Sequence, residues 1–82
     1  MTNELRVFNA FRSRKVRGTE IKQGDTLYAI YNRDYRLYFI WCYKDKEFAR
    51  KVMEKVEPVS EADIQANWRR KLDQLVPTER KE

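Results

Sequence analysis

The sequence predicts an α+β fold, a three- to four-stranded antiparallel sheet followed by two helices packed on one face. Three observations predict it. Short runs rich in aromatic and β-branched residues, separated by turn residues, fill the first 43 positions. From Lys46 onward the apolar residues recur every three to four positions instead of every two. Asp45 and Ser60 stand at the heads of the two periodic segments, where a helix needs side-chain acceptors for its first amides.

The elements follow in order. Leu5, Val7 and Phe11 alternate with polar Asn9 as a strand would, and the same residues fit helical spacings with Asn3 as a cap; the strand is the preferred assignment. Val16 to Ile21 reads as one short strand. Lys22-Gln23-Gly24-Asp25 is a turn, because glycine supplies positive φ at no steric cost. Thr26–Tyr31 and Tyr35–Tyr43 read as strands around a turn at Asn32-Arg33-Asp34. That register sets Tyr31 opposite Tyr35. It sends Leu27, Ala29, Tyr31, Tyr35, Leu37, Phe39 and Trp41 under the helices, and Tyr28, Ile30, Arg36, Tyr38, Ile40 and Cys42 to the other face. If that second face is covered, the segment holding Leu5, Val7 and Phe11 folds across it.

Phe48, Val52 and Val56, with Ala49 and Met53 beside them, predict a helix over about 46–56. Glu57-Pro58-Val59 breaks it. Ser60-Glu61-Ala62-Asp63 is a capping-box variant. It opens a helix over 61–76 with the stripe Ile64, Trp68, Leu72 and Leu75, which Pro77 stops. Residues 1–76 thus form a single α+β domain, and 77–82 a flexible polar tail.

Composition narrows the function. An 82-residue chain buries only about 60–65% of its unfolded surface, so the core is thin. One cysteine and no histidine exclude an internal disulfide and the usual zinc ligand sets. They point to a reducing cytoplasm, with no metal or other cofactor. No apolar run is long enough to span a bilayer, and the first residues lack a signal-peptide layout, so no membrane association is expected. Without histidine there is no Ser–His or Cys–His nucleophile pair. Cys42 lies in an apolar run where nothing nearby lowers its pKa. Glu20-Ile21-Lys22 matches the tail of a nuclease motif but lacks the upstream acid. The chain is not expected to be an enzyme.

Charge is uneven. Residues 1–22 carry six Lys and Arg against two Glu, a net +4 out of a total of +5. Arg12, Arg14, Lys15 and Arg17 lie within six positions, a density suited to neutralising phosphates. Arginine also suits bidentate contact. A solvated loop is the simpler account of the same cations. The Arg69-Arg70-Lys71 cluster likewise reads as a solvated helix face.

From Tyr35 the element order is similar to that of ribbon-helix-helix DNA binders. Their strand alternates polar groups towards the groove, whereas this one is almost wholly apolar. Glu57-Pro58-Val59 also replaces their glycine turn, so the likeness ends at element order. Small size, thin core and lopsided charge resemble those of phage and mobile-element products.

Two functional expectations result. The first is a small basic binding protein that contacts nucleic acid or a nucleoprotein through Arg12, Arg14, Lys15 and Arg17, with Arg36 as a further contact. The second is a phage-type inhibitor or adaptor that docks on a host protein through Tyr28, Ile30, Tyr38 and Ile40. The same face could serve as the seam of a homodimer.

Overall fold

The computed structural model describes the backbone of residues 2–16, 18–71 and 75–81, and their side chains apart from those of residue 16 and residues 75–81. The elements are β1 (Asn3–Ala10), β2 (Arg14–Val16), β3 (Thr19–Ile21), β4 (Thr26–Asn32), β5 (Leu37–Tyr43), α1 (Lys46–Met53), α2 (Glu61–Asn67), β6 (Trp68–Arg69) and β7 (Leu75–Lys81). The main sheet is antiparallel and five-stranded in the order β6-β5-β4-β1-β7, and β2 and β3 form a separate hairpin. The fold is α+β, as the change of apolar period predicts. Among the described residues no helix is long and apolar enough to cross a membrane.

β1 resolves the ambiguity of the first segment in favour of a strand. It does not fold across the sheet. It pairs along the edge of β4, Leu5 against Ile30 and Val7 against Tyr28. β4 is thereby central and is buried on both sides. Ile30 faces the helices in a core with Leu5, Leu37, Phe39, Ala49 and Trp68. Leu27 faces the hairpin in a second core with Ala10 and Ile21, and Cys42 packs against it. Leu5, Leu27 and Ile30 are the largest fully buried side chains. Each contributes about 1.5–3 kcal/mol by burial.

The β4–β5 turn corrects the expected register. It has four residues, 33–36, so Asn32 pairs with Leu37 and Tyr31 with Tyr38. Arg36, expected on a sheet face, lies in this turn with φ at 57°, in the left-handed region. The cause is the side chain of Asn32. Its Oδ1 accepts from the Tyr35 amide at 2.9 Å, a bond three residues on, as at a helix N-cap, that spans the four-residue turn. Its Nδ2 donates to Thr2 Oγ1 at 3.0 Å and Asn3 Oδ1 at 2.8 Å. Asn3 Nδ2 donates in turn to the Met53 and Val56 carbonyls at 3.1 and 2.7 Å, which satisfies orphan groups at the end of α1. One polar chain thus joins β1, the β4–β5 turn and the helix.

The face assignment changes accordingly. Leu37, Phe39 and Trp41 do pack under the helices. Tyr28 and Ile30, expected on the opposite face, join them. Leu27, Ala29 and Tyr31 move to the hairpin side: Leu27 packs with Ile21, and Ala29 and Tyr31 pair with Cys42 and Tyr38.

Both helix starts follow the expected capping. Asp45 Oδ1 accepts from the Glu47 amide at 3.0 Å, and Ser60 Oγ accepts from the Asp63 amide at 3.1 Å. The stripe of α1 is turned slightly from expectation. Ala49 is buried and Val52, Met53 and Val56 pack on the core, while Phe48 sits at the rim against Tyr43. The helix expected over 61–76 is corrected more strongly. It ends at Asn67, and Trp68 is extended, with φ −129° and ψ 148°. Trp68 and Arg69 pair instead with the β5 edge, which sets the indole against Phe39 at 5.2 Å. Residues 75–81, expected as a helix end and polar tail, run as β7 along β1. Leu72 lies outside the described residues.

Replacing Asn32 by alanine would leave the Tyr35 amide and Asn3 Oδ1 without their described partners. Asn32→Ala should lower the unfolding free energy by about 1–3 kcal/mol, read by chemical denaturation. A loss indistinguishable from zero would show that the turn does not need this side chain.

Candidate functional site

The Arg-rich segment is a hairpin, not the single strand its alternation suggests. Gly18 takes φ 81°, and the chain reverses there so that Arg14 pairs with Ile21, Lys15 with Glu20 and residue 16 with Thr19. Alternation missed this because a glycine within an alternating run fits a strand and a turn equally well. Arg17 lies outside the described residues.

The hairpin docks through Ile21, which is 6% exposed against Ala10 and Leu27. Polar contacts fix its base. The Ala10 amide donates to the Asp25 carbonyl at 2.9 Å and the Gly24 amide to the Ala10 carbonyl at 2.7 Å. The Gln23 amide donates to Ser13 Oγ at 3.0 Å. Lys44 Nζ reaches the Glu20 carbonyl at 3.1 Å and Asp25 Oδ2 at 3.4 Å. Asp25 Oδ2 also accepts the Lys22 amide at 2.8 Å. That backbone bond, opposed by desolvation and helped by Lys44, holds the Asp25 carboxyl below its ordinary value.

The cations are left to solvent. Arg12, Arg14, Lys15 and Lys22 are all exposed. Arg14, Lys15 and Lys22 line an open groove with Ser13, Glu20 and Gln23. Among the described residues no ion pair engages Arg12, Arg14, Lys15 or Lys22. Arg14 and Lys15 are thus brought together with Lys22 from the next turn, while Arg12 is exposed beside Phe11, outside this lining. Arg36 is not part of this cluster. It lies at the far end of β4, about 20 Å away for a seven-residue strand.

Between the two ends, on the hairpin side of the sheet, sits a group that charge counting does not find. Arg6 Cζ lies 3.6 Å from the centroid of the Tyr31 ring. Its Nε donates to Glu4 Oε2 at 2.8 Å and its Nη1 to Tyr38 Oη at 2.9 Å. Tyr38 meets Tyr31 at 4.7 Å and the edge of Phe8 at 5.7 Å between centroids. Burial works against the Arg6 charge, but the bonds to Glu4 and Tyr38 outweigh it and raise its pKa. The result is a planar cation held flat, with stacking and hydrogen bonds acting together. Its partners lie 25 and 32 positions away, so only the strand pairing reveals the group.

The expected interface set is divided. Tyr38 is half-buried in the Arg6 group, and Ile40 is half-buried further along β5. Tyr28 and Ile30 belong to the helix-side core, and Ile30 is fully buried. The register therefore does not bring these four residues onto one face. Cys42 is half-buried against the Ala10, Ile21 and Leu27 core, and desolvation pushes its thiol up to about 12 despite the nearby Arg14 charge.

Asp25 gives a pH signature. A carboxyl depressed in the folded state adds stability above its unfolded pKa and loses it as pH falls through the folded value. The Lys22 amide signal should titrate with a midpoint below 3.8, the ordinary value for this carboxyl. Asp25→Asn should abolish that transition. A midpoint at or above 3.8 in an NMR titration would contradict the bond.

No protein-family model matches this chain, and neither the curated proteins nor the solved structures contain a significantly similar one.

Proposed function

We propose that this protein is a small, non-enzymatic cytoplasmic module that binds nucleic acid, or a nucleoprotein, through the cations of the β2–β3 hairpin. One observation carries the reading. Arg14, Lys15 and Lys22 line one groove at the docked hairpin, Arg12 is exposed just before it, and among the described residues no ion pair engages any of the four. Glu20 and Asp25 are the nearby acids, and Asp25 is already engaged by Lys44 and the Lys22 amide. Cations held in this way release counterions when they meet a phosphate chain. The Ser13 hydroxyl in the same groove is a further donor for a phosphate oxygen. The rest of the fold serves as a platform, because Ile21 and the Asp25 turn fix the hairpin on the sheet.

The second reading, a phage-type inhibitor docking through its sheet face, is supported less. Of its four expected residues, Tyr28 and Ile30 pack beneath the helices, which leaves Tyr38 and Ile40.

Fluorescence anisotropy with a labelled oligonucleotide over a salt series tests the proposal. Affinity should fall linearly on a log–log plot. Arg14→Ala combined with Lys15→Ala should weaken binding and flatten the slope by about 1.5, near 0.7–0.9 per lost phosphate contact. No binding at low salt, or an unchanged slope in the double variant, would end the nucleic-acid reading.

A further inference from the structure

We infer that the Arg6–Tyr31–Tyr38 group is a base-stacking seat, and that the preferred ligand is a single strand with unpaired bases. This rests on the nucleic-acid reading and specifies the ligand. The hairpin supplies a charged contact that any phosphate chain satisfies. It does not distinguish a duplex from a single strand. The aromatic group on the same side of the sheet does, because only unstacked bases can lie on a ring or a guanidinium plane.

Four observations favour a seat over a purely structural roof. Arg6, Tyr31 and Tyr38 all remain partly exposed, so the group opens to solvent. The guanidinium is immobilised by Tyr31 beneath it and by bonds from Nε and Nη1 to Glu4 and Tyr38. Those bonds use two of its five N–H donors, so the cation retains donors for a base edge or phosphate. Cations also flank the group on both sides. The hairpin cluster lies at one end. Arg33 lies at the other, with its Nε 3.7 Å from Glu4, and Arg36 is in the same turn. A chain of phosphates crossing the seat would thus meet positive charge before and after it. The corrected register also withdraws Ile30 from this face and supplies Tyr31 instead. A ring suits stacking where a β-branched aliphatic does not.

The test compares labelled oligothymidylate of about 12 nucleotides, within the range of single-strand sites, with a duplex of the same length. The wild-type protein should prefer the single strand. Tyr38→Leu keeps an apolar side chain without the ring, and Arg6→Lys keeps the charge without the plane. Each should lower the single-strand to duplex affinity ratio by about five- to a hundred-fold, the loss of one stacked base. Chemical denaturation of each variant establishes that it is folded. A second measurement needs no variant. Irradiating the wild-type complex with the same strand carrying 5-iodouracil should give adducts on Tyr38 or Tyr31, located by peptide mass spectrometry. Binding with no preference for the single strand overturns the seat but leaves the hairpin reading intact. So does a ratio unmoved in both folded variants, or adducts confined to other residues. Failure to bind either nucleic acid removes both.

Discussion

The arrangement of this protein depends on the side chain of Asn32. It is the one buried polar residue among those described, and both its Nδ2 donors and its Oδ1 are engaged. By capturing the Tyr35 amide it makes the β4–β5 turn four residues long. Every pairing between β4 and β5 near that turn follows from this count. Through Asn3 the same network reaches the carbonyls of Met53, the last residue of α1, and of Val56 just beyond it, so the helix is fixed over the face on which Ile30, Leu37 and Phe39 converge. A thin core gains from such a device. The amide chain adds little net energy per bond, but an unmatched member would cost far more than a bond is worth.

The register also divides the sheet into two faces with different chemistry. The helix side is apolar and closed, around Leu5, Ile30, Phe39 and Trp68. The other side is shared between the hairpin, docked by Ile21 over Leu27, and the Arg6 group around Tyr31 and Tyr38. Most of the excess charge of the chain falls in residues 1–22, and those residues build the hairpin and the strand bearing Arg6. Charge and partly exposed aromatic surface thus share one side of the sheet. The proposed single-stranded ligand rests on that juxtaposition.

Much of this is legible in the sequence where the signal is local. Asp45 and Ser60 mark their helices because capping involves residues two or three apart. Leu37, Phe39 and Trp41 are read as core from alternation within one strand. The exposed cations of Arg12, Arg14 and Lys15 follow from their density. What fails is non-local or degenerate. Asn32 reads as a turn residue by type, yet it ends β4 and acts on the turn through its side chain. Ile64, Trp68, Leu72 and Leu75 keep helical spacing, but the edge of β5 offers Trp68 a better burial than another helical turn does. Residues 75–81 carry no strand pattern that outweighs their polarity, and their pairing depends on the free edge of β1. Arg6 shows only as one cation among many until Tyr31 and Tyr38 are brought beside it.

The register is tested most directly by cross-strand nuclear Overhauser effects in the wild-type protein. The Asn32 turn predicts contacts between Tyr31 and Tyr38, together with contacts from the Ile30 methyls to Ala49 and Trp68. Contacts between Tyr31 and Tyr35, with Ile30 beside Tyr38, would restore the three-residue turn. They would remove both the corrected faces and the Arg6 seat built on them.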